Sequence, residues 1–164
     1  MRTIYPYLHL VGFILVILTP GCKETENKFP DVKLRMTDQS EILLSDHLHG
    51  KPGMVVHFDA DCKSCQDEAD SIVTNIDKFG DIRIVFASLQ QFDKIDLFDR
   101  YFKLSDHKNI VVGQDYNNTI PTHFKTYTTP MTVLTDENNE VRKVIVGEIE
   151  MWRLKKFINE IQEL

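Results

Sequence analysis

The sequence predicts an α/β domain with a central sheet flanked by helices, and three observations carry that reading. Strand-like and helix-like segments alternate from residue 30 onward, the pattern of a sheet covered by helices. The segment "GMVVHF" (53–58) is apolar except for His57, as a central strand buried on both faces should be. Two cysteines, Cys62 and Cys65, come directly after that strand, where the apolar positions take up helical spacing.

The chain begins with Arg2 and an apolar run from about Leu8 to Leu18, then Pro20, Gly21 and Cys22. That order is the shape of an export signal. The run is short for a bilayer crossing, which needs about 20 residues. The small residue before Cys22 and the polar "KETENKF" after it resemble a bacterial lipoprotein signal, which would place lipid on Cys22. Thr19-Pro20-Gly21 departs from the usual lipobox, which carries an aliphatic residue three before the cysteine. This divides the chain into a signal over 1–22, a tether over 23–28 and one domain over 29–164. Roughly 140 residues after the signal suit one hydrophobic core.

Within the domain, "VKLRM" (32–36) and "EILLS" (41–45), separated by "TDQS", predict an N-terminal β-hairpin. Ala69, Ile72, Val73, Ile76 and Phe79 recur at spacings of three and four before Gly80, so a helix is expected from about Cys62 to Phe79. "IRIVFASL" (82–89) reads as a buried strand, "DKIDLFDRYFKL" (93–104) as a helix and "NIVVG" (109–113) as a short strand. "DYNNTIPTHFKTY" (115–127) reads as a loop with one helical turn after Pro121. Two strands joined by "DENN" span 131–147, and "EMWRLKKFINEIQEL" closes the chain as an amphipathic helix. There is no internal repeat.

A net charge of −6 and a pI near 5.5, with no basic stripe interleaved with aromatics, argue against a nucleic-acid partner. The chemistry therefore concentrates on the cysteines. If Cys22 carries lipid, Cys62 and Cys65 form the single pair of an exported domain, in a compartment where disulfides persist.

A strand turning directly into a helix leaves unpaired N–H groups at the helix start. Those donors and the positive end of the helix dipole favour thiolate, the species that attacks a disulfide. Cys62 is thereby read as the exposed attacking sulfur. Cys65, heading the apolar stripe one turn further in, is read as the buried resolving sulfur. Glu68, three residues on, is either an acceptor for the Cys65 proton or a solvated acid near a helix start. Asp61 opposes and Lys63 supports a thiolate at Cys62. A structural zinc site wants four ligands in two pairs, and a second C-x-x-C is missing, so His47 and His49 would have to complete it. A structural disulfide across two residues constrains the unfolded chain little. His57 reads as a core histidine, His107 and His123 as loop residues. No metal or other cofactor is called for.

With these residues in view, the sequence resembles the membrane-tethered thiol-disulfide oxidoreductases of the thioredoxin fold, the TlpA/ResA type. "FPDVKLR" is similar to their opening strand, "LSDHLHGKPGMVVHF" to their run into the central strand, and "CKSCQDE" to their active-site motif with a C-x-x-C-x-x-E extension. "YTTPMTVLTDENNEV" resembles the segment that carries their cis-proline. The resemblance implies a thioredoxin-like fold, with Pro130 as the cis-proline, Thr129 presenting its backbone to substrate, and Glu68 assisting proton transfer. Two departures stand out: Asp61 replaces the tryptophan before the first cysteine, and Val56 replaces a buried aspartate.

The expected function is an envelope thiol-disulfide oxidoreductase acting as a reductant, a lipid-anchored monomer with its domain in the periplasm, the cell surface being the alternative. Its expected partners are cysteine-containing exported proteins, a membrane or periplasmic thiol-disulfide electron donor, and the membrane itself. Two alternatives stand beside it. One is a peroxiredoxin-like thiol peroxidase, suggested by "FPDVKL" but lacking a T-x-x-C setting. The other is a non-catalytic or copper-handling lipoprotein, for which the cysteine spacing is one residue short.

Overall fold

The structure, a computed structural model, describes residues 27–163. The expected signal segment and Cys22 lie outside the described residues, as do residues 23–26 of the expected tether. Among the described residues no helix is long and apolar enough to cross a membrane.

The strands are β1 (Lys33–Met36), β2 (Glu41–Leu43), β3 (Gly53–His57), β4 (Arg83–Ser88), β5 (Ile110–Gln114), β6 (Met131–Thr135) and β7 (Val141–Val146). The helices are α1 (Leu44–Leu48), α2 (Lys63–Thr74), α3 (Phe92–Phe102), α4 (Thr119–Phe124) and α5 (Met151–Gln162). The strands form one mixed sheet in the order β2-β1-β5-β4-β3-β6-β7. β3, β4 and β5 are parallel, and the remaining pairings are antiparallel. The expected hairpin forms as β1–β2.

Alternation along the strands divides the core between the two faces of the sheet. Met54, Val56 and Phe58 point to one face, where Ala69 and Ile72 of α2, Ile95 and Phe98 of α3, and Leu154 and Ile158 of α5 cover them. Val55 points to the other, under Leu44 and Leu48 of α1 and Ile120 of α4. Every residue of β3 is buried, as its apolar run requires. Gly53 has no room for a side chain: a Cβ there would lie 2.5 Å from Thr135 Oγ1 and 2.7 Å from Leu48 Cδ2, which holds α1 tightly against the start of β3. Ile72 is fully buried, so its truncation to Ala should cost about 2–5 kcal/mol.

Four local expectations are corrected. The helix expected from Cys62 to Phe79 begins at Lys63 with Cys62 as its N-cap, and it ends at Thr74, where Asn75 turns the chain into a short 3₁₀ segment, Ile76–Lys78. The second hairpin strand stops at Leu43 because Leu44 and Leu48, four apart, turn inward on α1. α4 starts two residues before Pro121, since a proline in the first turn forfeits only an N–H that has no helical partner, and His123 is helical rather than in a loop. Residues 27 and 28 are docked rather than free. The Asn27 carbonyl accepts the Val141 N–H at 2.6 Å, Lys28 bridges to Glu140, and the Phe29 N–H donates to the Asn139 carbonyl at 2.9 Å.

The two ends of β6 lie beside different parts of the chain. It starts next to Pro130 and runs antiparallel to β7, so that Met131 pairs with Val146 and Thr135 with Val141. The chain therefore enters the domain next to Val141, at the end of β6 far from Pro130.

Candidate active site

The C-terminal end of β3 delivers the chain into the turn Phe58–Cys62. The Cys62 N–H donates to the Asp59 carbonyl at 3.1 Å, and the Cys62 carbonyl accepts from Gln66 N–H at 3.1 Å, the first bond of α2. Gln66 Nε2 reaches back to the Ala60 carbonyl at 2.8 Å. From across the sheet, Gln90 receives the Ala60 N–H on Oε1 at 2.7 Å and donates to Asp59 Oδ1 at 2.9 Å. The turn is thus fastened at both its carbonyl and amide groups. Neither Gln66 nor Gln90 is marked by the sequence pattern; Gln90 stands 30 residues from Ala60, and nothing local to the turn points to it.

Cys62 is partly exposed and Cys65 is buried, with both thiols free. Burial alone would raise the Cys62 thiol. The Cys65 thiol, the backbone N–H groups of Cys65 and Ser64, and the Thr129 side chain outweigh it, so Cys62 lies below its ordinary value. Cys65 goes the other way. Burial, reinforced by the Cys62 sulfur, pushes it up to about 12. Two thiols one helical turn apart are therefore driven in opposite directions, one by donors at a helix start and the other by the core.

The charges beside Cys62 neutralise each other in pairs. Asp61 forms an ion pair with Lys94 of α3, and Lys63 pairs with Asp67 one turn along α2. Neither charge figures among the causes of the Cys62 shift, which come from hydrogen bonds at the helix start.

The Thr129–Pro130 peptide bond is cis, and the Thr129 carbonyl lies 3.7 Å from Cys62 Sγ, which donates to it. Residues 67 apart in sequence are thus brought into contact.

Glu68 is 4% exposed, which removes the solvated-acid reading. Its Oε1 accepts the Thr132 hydroxyl at 2.6 Å, while Oε2 has no partner. Burial, only partly offset by the Thr132 hydroxyl, raises the carboxyl to about 7, with the Glu148 carboxylate adding to the shift. Glu68 and Cys65 both lie on the buried side of α2. Thr132 is a site residue that the sequence pattern does not single out. Its place two residues after Pro130, with a hydroxyl on an inward-facing strand position, is the signal that could have found it.

His57 is a buried core residue whose Nδ1 has no partner, and burial lowers its pKa. His47 sits on α1 and His49 caps it, away from both sulfurs in the fold. Among the described residues, no three of His, Cys, Asp and Glu converge in a cluster that could hold a metal ion. The structure therefore gathers Cys62, Cys65, Glu68, Thr129 and Pro130 at one end of the sheet.

Comparison with known proteins places this geometry. A secreted Mycobacterium tuberculosis disulfide oxidoreductase homologous to E. coli DsbE superposes with a TM-score of 0.67 at 13% identity, over 79% of this chain and 96% of that one. A yeast mitochondrial 1-Cys peroxiredoxin gives 0.68 at 11%, over 83% and 75%. Arabidopsis thaliana ScoI with copper bound gives 0.66 at 16%, over 82% and 98%. At such identities the likeness establishes the fold, which is thioredoxin-like, and one fold here carries three chemistries. No curated protein matches the sequence. The AhpC/TSA family model matches residues 25–144, well over half of the chain and all of the cysteine turn, and the chain belongs to the AhpC/TSA family.

Proposed function

We propose that the protein is a thiol-disulfide oxidoreductase that reduces disulfides of other exported proteins. The observation that carries this reading is the opposed pair: an accessible Cys62 sulfur below its ordinary pKa, one turn from a buried Cys65 at about 12. The Cys62 thiolate attacks a client disulfide, forming a mixed disulfide and releasing one client sulfur, which takes up a proton. Cys65 then loses its proton and attacks Cys62 Sγ. The Cys62–Cys65 disulfide forms, the second client thiol leaves, and two electrons have passed to the client.

Each remaining residue has a place in that sequence. Glu68, half-ionised near neutrality, is the acceptor for the Cys65 proton on the buried side of α2. The Thr129 backbone, beside Cys62 Sγ, is the edge on which an extended client pairs. When the protein disulfide is attacked at Cys62, the sulfur expelled is Cys65, and a thiol of such high pKa leaves poorly. Donation of electrons to clients leaves the pair oxidised, so the proposed cycle requires a thiol-disulfide electron donor to reset it.

Residues 1–22 support an exported, lipid-anchored protein, with Cys22 as the lipidated residue and the domain in the periplasm. The described chain enters beside Val141, at the end of β6 far from Pro130, so an anchor on that side leaves the redox end of the sheet open to clients. Replacing Cys22 by Ser should move the protein from the membrane to the soluble fraction; retention in the membrane would remove the lipid anchor from the account.

Reduction of insulin disulfides tests the catalytic reading. The protein should accelerate it, and Cys62→Ser and Cys65→Ser should each abolish the acceleration. No acceleration, with rapid thiol-dependent consumption of peroxide instead, would replace this reading with peroxidase chemistry.

A further inference from the structure

The peptide N–H groups of the turn between β3 and α2 each have a different acceptor. The Asp61 N–H donates to Asp59 Oδ1 at 2.8 Å and the Cys62 N–H to the Asp59 carbonyl at 3.1 Å, so both close within the turn. The Ala60 N–H leaves it for Gln90 Oε1, at 2.7 Å. The remaining donor, the Asp59 N–H, serves the Cys65 sulfur: burial raises that thiol, and this N–H is the foremost group working against burial. The resolving thiolate therefore depends on a donor outside its own helix, on a turn held in place from across the sheet.

Gln90 holds it. Its Nε2 donates to Asp59 Oδ1 at 2.9 Å while its Oε1 takes the Ala60 N–H, so one side-chain amide fixes both residues of the Asp59–Ala60 peptide. Gln90 is fixed in turn through its backbone. Its N–H donates to the hydroxyl of the fully buried Ser88 at 3.2 Å, and its carbonyl accepts Gln114 Nε2 at 2.8 Å. Ser88 ends β4 and Gln114 ends β5, so the two strands that follow β3 across the sheet converge on the support of the turn. Lys94 also reaches the turn, but through an exposed side-chain ion pair with Asp61, a contact of little weight for backbone order.

Cys62 is served differently. Burial raises it as well, and the groups that oppose burial there are the Cys65 thiol, the N–H groups of Cys65 and Ser64, and the Thr129 side chain. None of these is held by Gln90. Only the Cys65 set includes a donor from the clamped turn.

We propose that Gln90 is a positioning residue for the second half of the exchange: it aims the Asp59 N–H at Cys65 Sγ and so sets the rate at which Cys65 attacks the mixed disulfide, without governing the first attack by Cys62. The inference rests on the dithiol reading of Cys62 and Cys65. Without the clamp, the protein captures clients at its normal rate and releases them slowly.

A chromogenic aromatic disulfide, dithiobis-nitrobenzoate, separates the two halves. In a full-length Cys22→Ser background the only thiols are Cys62 and Cys65. The Cys62 thiolate attacks the reagent, forming a mixed disulfide and releasing one thionitrobenzoate. Cys65 then loses its proton, attacks Cys62 Sγ and releases the second, leaving the Cys62–Cys65 disulfide. Stopped-flow absorbance of this parent should show two steps of equal amplitude. In Gln90→Leu the first step should keep its rate within about twofold and the second should slow about tenfold, the scale of one hydrogen bond to a charged sulfur. Gln114→Leu, which removes the support behind Gln90 but leaves its side chain, should slow the second step about threefold, and it stands in where Gln90→Leu loses native circular dichroism. Lys94→Met should leave both steps unchanged. Equal slowing of both steps, or a second step as fast as the parent's in the folded glutamine variants, overturns the proposal. A parent that releases one equivalent and stops overturns the dithiol reading itself, and the assignment of Gln90 falls with it.

Discussion

Two carboxylates stand near opposite ends of β6, each 4% exposed, and they have moved in opposite directions. At the far end, burial works to raise Asp136. The Glu140 N–H, the Arg142 guanidinium and the Asn138 N–H outweigh it and hold the carboxyl below its ordinary value. Oδ1 takes the Asn138 N–H at 2.9 Å and the Glu140 N–H at 3.0 Å, and Oδ2 takes Arg142 Nε at 2.9 Å. At the redox end, Glu68 has one donor, the Thr132 hydroxyl, and an unpartnered second oxygen, so burial prevails and the carboxyl rises to about 7. Equal exposure therefore conceals different settings: Asp136 lies shallow among several donors and closes a turn, whereas Glu68 lies deep with one donor and is poised to exchange a proton. Depth and the number of donors together decide which.

The comparison can be broken most severely at the redox end itself. Cys62→Ser should lower disulfide reduction by at least about 1000-fold, because no other exposed thiol among the described residues supplies the nucleophile. Its unfolding midpoint should stay close to wild type. Asp136→Ala should do the reverse, leaving thiol exchange intact while costing about 2–4 kcal/mol in denaturant unfolding, as the turn loses its charged acceptor. The Arg142 share of that cost is screened, since the guanidinium is itself partly exposed.

Glu68→Gln sharpens the contrast through pH. A raised carboxyl contributes stability that is fully present below its ordinary value of 4.5 and is lost as pH rises through about 7. The variant should therefore exceed wild type by about 1–3 kcal/mol at pH 8 and match it near pH 4, while the resolving step slows. Asp136 has the opposite sign: its contribution is present above 3.8 and is lost as pH falls through its depressed value. Unfolding curves of the two variants across pH should diverge in opposite senses. The smallest effect belongs to Thr132→Val, which removes the one donor to Glu68 and should raise that carboxyl further, measurable by carbon NMR of the side chain.

The range of each interaction decided whether it was legible in the sequence. The order of strands and helices was legible because β3 reads as a continuous apolar run and α2, α3 and α5 carry regular stripes. The same stripe, with the strand before it, placed Cys62 at a helix start and Cys65 inside. Glu68 resisted reading from local pattern because it sits in the acid-rich "CQDEAD". The one donor to its carboxylate, Thr132, is 64 residues away. Asp61 was legible as a charge beside Cys62 but not as half of an ion pair, since Lys94 arrives from α3. α1 was hidden because five residues give a single i,i+4 pair, Leu44 and Leu48, split between the strand read over 41–45 and the short loop after it.

The claim on which the rest depends is that the two sulfurs differ in reactivity because one caps a helix and the other lies in the core. Iodoacetamide alkylation of the reduced protein across pH, with each site tracked by mass spectrometry, measures this directly. The account predicts that Cys62 is alkylated with an apparent pKa below that of a free cysteine peptide under the same conditions, and that Cys65 stays unmodified well above pH 9. Equal labelling of both sulfurs, or labelling of Cys65 first, would contradict it.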